Sequence, residues 1–155
     1  MKKVNLNQET FQLPLLALRG LLAFPNTIIT IDVAREKSIA SLQQAIQKDN
    51  RLFVVAQRDS LVERPAIEDL YTVGTIVTIK QVLHMPDQTV RVLIEGNSRA
   101  LLLNLYNTES HLVGELLEIL SGDETELTAE QKAMMQAIRS LAPQVSRAHN
   151  HPILN

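Results

Sequence analysis

The pentapeptide Gly96-Asn97-Ser98-Arg99-Ala100 comes nearest, among the residues of this chain, to a catalytic motif. It departs from the G-x-S-x-G nucleophile elbow only at its last position, where alanine stands for glycine. The elbow also needs a strand, a tight turn and then a helix. The residues that follow Ser98 read RALLLNLY, an aliphatic run typical of a strand. Because Gly-Asn-Ser is turn chemistry, we predict a turn between two strands here and no nucleophile.

No other group of residues predicts a catalytic site. Of the four histidines, only His149 and His151 lie close together, and this pair lacks the third ligand that a zinc site needs. The adjacent Glu68 and Asp69 point apart in regular structure, so they are expected to flank a loop or cap a turn. The chain has no cysteine, no P-loop and no G-x-G-x-x-G motif. We therefore predict no catalytic residue and no metal ligand.

Composition favours a folded domain without a basic surface. The 155 residues are 45% hydrophobic and 3% aromatic, with a formal net charge of −2. Nucleic-acid-binding proteins usually carry a basic excess, so no nucleic acid is expected as a partner. The most apolar stretch is bracketed by Arg19 and Asp32 and broken by Pro25, which makes it too short to span a membrane. We expect a cytoplasmic chain without a membrane partner.

The first half of the chain predicts strands around one helix. The runs LPLLALR (13–19), TIITIDV (27–33) and RLFVVAQ (51–57) are strand-like. Between the last two, AREKSIASLQQAIQKDN predicts an amphipathic helix that ends near residues 49–50. Its apolar stripe contains Ile39, Leu42, Ala45 and Ile46, and Ser41 is placed on another face.

The second half predicts strands and then a lone helix. TVGTIVTIKQVLH, TVRVLIE and RALLLNLY are strand-like runs, separated by MPDQ, in which Pro86 and Asp87 suit the centre of a type I turn, and by GNS. HLVGELLEIL (111–120) fits a strand or a helix. After a polar break, Thr128 and Gln131 form a capping box that opens a helix, which Pro143 ends. Its apolar stripe, a candidate interface, contains Met134, Ile138 and Leu141.

These segments, in this order, resemble the N-terminal domain of Lon, the ATP-dependent serine protease. The matching pieces are LPLLALRGLLAFPNTIITIDVAREKSI, then LFVVAQ, then DLYTVGTIVTIKQVLHMPDQTVRVLIEGNSRALL. The resemblance implies an α+β fold: a PUA-like β-barrel or layered β-sheets with one main amphipathic helix, followed by a C-terminal helix. It divides the chain into a β-rich domain (1–120), a polar linker (121–127) and the start of a helical connector (128–155). Gln88 departs from the glycine that is frequent in the family's P-D-G-T turn.

The resemblance further implies a non-catalytic substrate-recognition domain that binds unfolded or degron-bearing proteins and helps ring assembly. The family's ATPase and Ser–Lys proteolytic segments do not occur in these residues, so ATP and Mg²⁺ would bind elsewhere in a parent protease, itself a homo-oligomer and expected to be a hexamer. Two alternatives stay open: a PUA-like RNA-binding module, and a purely structural oligomerisation domain. The substrate-contact candidates are Leu21, Leu22, Phe24, Pro25, Arg35, Glu36 and Lys37. The apolar four do not fit one buried strand face, and the three charges fan around a helix start.

Overall fold

The computed structural model describes residues 5–19 and 25–121, which form six strands and one α-helix. The strands are β1 (Asn5–Leu18), β2 (Ile28–Val33), β3 (Arg51–Ala56), β4 (Val73–His84), β5 (Val90–Asn107) and β6 (Leu112–Ser121). The helix α1 spans Glu36–Ile46, and a short 3₁₀ turn lies at Ile67–Asp69. The predicted α+β fold with one main helix is confirmed, while the C-terminal helix falls outside the described residues.

The six strands form one sheet that closes on itself. The strand order is β2-β5-β4-β3-β1-β6, and β6 also pairs with β5. The first half of β5 lies beside β2, from Val90 to Glu95, and its second half lies beside β6, from Ala100 to Asn107. Strand β5 therefore closes the barrel with its second half and carries β2 on its first half.

Two buried clusters explain why β1 and β3 read as continuous apolar runs. Leu15 and Phe53 belong to the cluster inside the barrel, whereas their neighbours Leu16 and Val54 belong to a second cluster that contains Leu42 of α1. Strands that are buried on both faces lose the alternation of apolar and polar residues. Helix α1 is consequently held against the barrel by its apolar stripe.

The predicted turn at Gly96-Asn97-Ser98 is wrong, because these residues lie inside β5. Opposite them, Ile76 pairs with Ser98 and Val77 pairs with Gly96, so that Asn97 is an extra residue in the strand. Such a bulge bends a strand and increases its twist. Glycine and asparagine therefore mark the place where β5 passes from β2 to β6.

The bounds of β1 and α1 differ from those predicted, whereas the predicted β4–β5 turn is present. Strand β1 begins at Asn5 rather than near Leu13, since β6 pairs with its polar first half. Helix α1 ends at Ile46, and HLVGELLEIL is a strand. The expected hairpin turn is present: the Gln88 amide donates to the Met85 carbonyl at 3.1 Å, and Gln88 has a left-handed backbone with φ of 72°.

Candidate functional site

A groove of about 1120 Å³ lies at the N-terminal end of α1; we call it the helix-end groove. Its walls come from β1, the first turns of α1, the loop before the 3₁₀ turn, the β4–β5 hairpin and the β5–β6 connection. The lining residues are Ala17, Ala34, Arg35, Glu36, Lys37, Ser38, Ile39, Ala40, Gln43, Glu63, Arg64, Pro65, Gln88, Asn107, Glu109, Ser110 and Leu112. Elements distant in sequence thus meet at one concave surface.

Arg35 fixes one wall of the groove through its guanidinium group. Its Nη2 donates to the Ala17 carbonyl at 2.6 Å, and its Nη1 donates to Gln57 Oε1 at 2.7 Å. Burial, followed by the charge of Arg19, lowers the pKa of Arg35, and Glu63 acts in the opposite direction. Arginine presents several donors in a rigid plane, which suits one residue that joins three segments. Arg35 is half-buried and ties the start of α1 to β1 and to the residue that follows β3.

Gln57 extends this network into the loop that forms the opposite wall. Its Nε2 donates to the carbonyls of Asp59 at 3.0 Å and Val62 at 2.9 Å. Gln57 is only 5% exposed, so these bonds satisfy an amide that is buried. Gln57 was read only as the end of a strand in the sequence. The available signal was a polar residue that closes a fully buried apolar run.

Lys37 and Ser41 attach α1 to the β5–β6 connection. Lys37 Nζ donates to the carbonyl oxygens of Thr108 and Glu109, the latter at 3.1 Å. Ser41 Oγ donates to the Leu112 carbonyl at 3.2 Å and accepts from the Leu112 amide at 3.3 Å. Ser41 is fully buried, so its predicted position on another face was wrong. A small hydroxyl there lets the helix approach β6 closely.

Among the described residues, the charges at the groove balance one another. Its cations are Arg35, Lys37 and Arg64, and its carboxylates are Glu36, Glu63 and Glu109. His111 is near this end of the barrel, where burial, followed by the charges of Lys37 and Lys48, lowers its pKa. A mixed surface of this kind has no net preference for an anion or a cation, and it suits a ligand with both charges and apolar groups.

The predicted contact residues fall into two sets. Arg35, Glu36 and Lys37 lie together in the helix-end groove, where Glu36 is exposed and the other two are engaged by the protein's own backbone. Pro25 is half-buried in the turn before β2. The remaining substrate-contact candidates, Leu21, Leu22 and Phe24, and the interface candidates, Met134, Ile138 and Leu141, lie outside the described residues. All of these assignments stay predictions.

Ser98 is placed in a strand and bonded to a carboxylate. Its Oγ donates to Glu118 Oε2 at 2.7 Å, and the residues that follow it continue β5. The strand–turn–helix geometry of an elbow is therefore not formed around this serine. Asp69 Oδ2 accepts from the Ala66 amide at 2.8 Å and so caps the 3₁₀ turn, as expected.

Within residues 5–19 and 25–121, no three His, Asp or Glu side chains are grouped as ligands for a metal ion. In the same part of the chain, α1 is neither long enough nor apolar enough to cross a membrane, and no other helix there is either.

A family model described as the ATP-dependent protease La (LON) substrate-binding domain matches residues 12–153. The Lon protease of Clostridium acetobutylicum is 41% identical over 133 residues, which are 86% of this chain and 17% of that protein. Lon protease 1 of Bacillus subtilis is 36% identical over 126 residues, 81% of this chain and 16% of that protein. The chain thus spans about one sixth of the length of these relatives.

Solved structures support the fold independently. The N-terminal domain of a Mycobacterium avium complex Lon protease superposes with a TM-score of 0.57 at 16% identity, covering 88% of this chain and 76% of that one. A Lon N-terminal domain protein from Xanthomonas campestris gives a TM-score of 0.56 at 18% identity, covering 84% and 73%. At such identities the likeness concerns the arrangement of the strands and helix.

Proposed function

The chain belongs to the family of ATP-dependent protease La (Lon) substrate-binding domains, and from this premise we propose that it is a recognition domain that performs no catalysis itself. It binds unfolded or degron-bearing proteins and delivers them to an ATP-dependent serine protease. The observation that carries the proposal is the helix-end groove, a concave surface of mixed charge on a rigid barrel.

The construction of the groove suits a ligand without a fixed sequence. Three polar side chains hold the walls of the groove in place. Arg35, Gln57 and Lys37 each donate hydrogen bonds to backbone carbonyl groups of the protein. Glu36, Arg64 and Glu109 are exposed at the same surface. Apolar contact supplies affinity in such a site, and charged groups at the rim select among segments.

The rest of the functional assignment follows from the family and is part of the proposal. The parent protein is an ATP-dependent serine endopeptidase that binds ATP and Mg²⁺ in another domain. This domain contacts neighbouring subunits of a homo-oligomeric ring, expected to be a hexamer, in the cytoplasm. Leu21, Leu22, Phe24 and Pro25 supply further apolar contacts for the substrate.

The test is a binding titration of the 155-residue chain with β-casein, an unfolded protein, and with a folded protein of similar size. We expect binding to casein alone. Ala40 lines the groove and is half-exposed, so Ala40→Phe places a bulky ring in the groove and is expected to weaken casein binding about tenfold, or about 1.4 kcal/mol. Gln44→Phe is the matched control, because Gln44 lies on the same helix outside the groove lining.

Melting temperatures of both variants establish that the domain remains folded. Equal casein binding by Ala40→Phe and Gln44→Phe contradicts the groove as the site. Tighter binding of single-stranded RNA than of casein contradicts the protein-recognition function and favours the RNA-binding alternative. Absence of binding to both casein and RNA favours the alternative of a structural oligomerisation domain.

A further inference from the structure

The barrel has a second apolar surface, on the side that points away from its interior. We call it the outer face and define it by the buried Val73, Leu101, Leu103 and Ile119, against which Leu6 and Leu117 pack. These residues come from the four neighbouring strands β4, β5, β6 and β1. Leu101 and Leu103 alternate along β5 with Ala100 and Leu102, which face the barrel interior.

The burial of this face requires a covering layer. A sheet face with nothing over it leaves its side chains in contact with water. Leu101 is nevertheless 0% exposed and Leu103 is 2% exposed. Every described residue of their cluster lies in the strand layer itself, whereas α1 packs in a different cluster with β1 and β3. Side chains of one layer do not bury each other to this extent, which indicates a covering element beyond the described strands.

Asn104 gives independent support from a polar group. Leu102 and Leu105 both face the barrel interior, so the two residues between them, Leu103 and Asn104, share the outer side. Asn104 is 1% exposed, and its Oδ1 accepts from the Leu105 amide at 2.9 Å. Its Nδ2 has no acceptor among the described residues. A buried donor without an acceptor destabilises a fold, so an acceptor on a covering element would stabilise the domain.

We propose that residues 128–142 form the predicted helix and fold back across the outer face. Their apolar stripe of Met134, Ile138 and Leu141 then packs on Leu101 and Leu103. This inference does not depend on the proposed function. It assigns a partner to the apolar stripe that the sequence identified only as a candidate interface.

Chain geometry favours this segment over a second copy of the protein. Strand β6 ends at Ser121, two residues beyond Ile119 of the outer face. The residues 122–127 reach about 20 Å when extended, enough to reverse direction. A helix over 128–142 is about 22 Å long, and four adjacent strands span about 14 Å. A tethered segment also acts at an effective concentration of roughly millimolar, which a separate copy does not have.

The arrangement separates two surfaces of the domain. No residue of the outer face lines the helix-end groove. A helix docked on the outer face therefore occupies a surface that shares no residue with the groove lining.

The absence of native cysteine makes disulfide trapping a clean test. Leu117 is half-exposed on the outer face, so Leu117→Cys is combined in turn with Met134→Cys, Ile138→Cys or Leu141→Cys. The matched controls combine Leu117→Cys with cysteine on the opposite side of the helix, at Lys132, Gln136 or Arg139. Cysteines with Cα atoms more than about 7 Å apart are not bridged without movement of the backbone. We expect an intrachain bond about tenfold faster in at least one stripe pair than in any control.

Two other results overturn the proposal. Bonds between chains in place of bonds within a chain assign the outer face to a second copy, and equal rates at both sides of the helix contradict docking. Amide exchange of the unmodified chain tests the same point without substitutions: slow exchange in 128–142 is expected, and fast exchange throughout that segment contradicts the proposal.

Discussion

At the scale of single residues, backbone conformation decides which side chains are replaceable. Asn26, Asn50 and Gln88 have positive φ values of 63°, 60° and 72°. Asparagine occupies the left-handed region at little cost, whereas glutamine gains no local hydrogen bond there. Gln88 is therefore the residue of the β4–β5 hairpin whose type is unfavourable for the backbone conformation that the turn requires.

Gln88→Gly is expected to stabilise the domain by about 1 kcal/mol, because glycine lacks the Cβ that disfavours a left-handed backbone. Chemical denaturation measures the change in the free energy of unfolding. Gln88→Ala is the matched control and keeps the Cβ, so it should give no gain. Equal stability of the two variants would show that the turn is not strained.

At the scale of elements, β4 approaches β3 so closely that one position has no room for a side chain. A Cβ on Gly74 would lie 2.4 Å from Phe53 Cζ and 2.5 Å from the Val54 carbonyl oxygen. Phe53 is fully buried inside the barrel, and the carbonyl belongs to the β3 backbone. Neither atom is free to move away without repacking.

Gly74→Ala is accordingly expected to destabilise the domain by about 3 kcal/mol, at the upper end of the usual cost of overpacking. Gly114→Ala is the control within the same barrel. A Cβ there would meet only leucine methyl groups, at 3.0 to 3.3 Å, so the expected loss is about 1 kcal/mol. Thermal and denaturant unfolding compare the two, and equal losses would contradict the close approach of β4 to β3.

The same elements show what the sequence conveys and what it does not. The apolar run RLFVVA predicted strand β3, and the apolar stripe predicted helix α1, because each local pattern reflects which side chains are buried. Gly96-Asn97-Ser98 was misread because a bulge and a turn use the same residues, and only pairing with β4 distinguishes them. Ser41 was misplaced because its partner Leu112 lies 71 residues away.

At the scale of the whole molecule, a barrel carries its candidate site where distant segments meet. Arg35, Glu36 and Lys37 were predicted as one contact set from their charges, and they lie in one groove. Which of these side chains bond to the protein itself was not predictable, because the partners of Arg35 are 18 and 22 residues away in the sequence. A local pattern identifies the charged helix start, but only the tertiary fold shows which charges are committed to the structure.

The proposed function therefore rests on where unfolded protein contacts this domain. The most direct measurement is a series of ¹H–¹⁵N correlation spectra of the 155-residue chain titrated with unlabelled β-casein. We predict that the largest shift changes fall on the groove segments 34–43, 63–65 and 107–112 and on the proposed contact residues 21–24, with the strands β2 and β4 largely unaffected. Changes concentrated on β2 and β4, or spectra that do not change at all, would contradict recognition of unfolded protein at the helix-end groove.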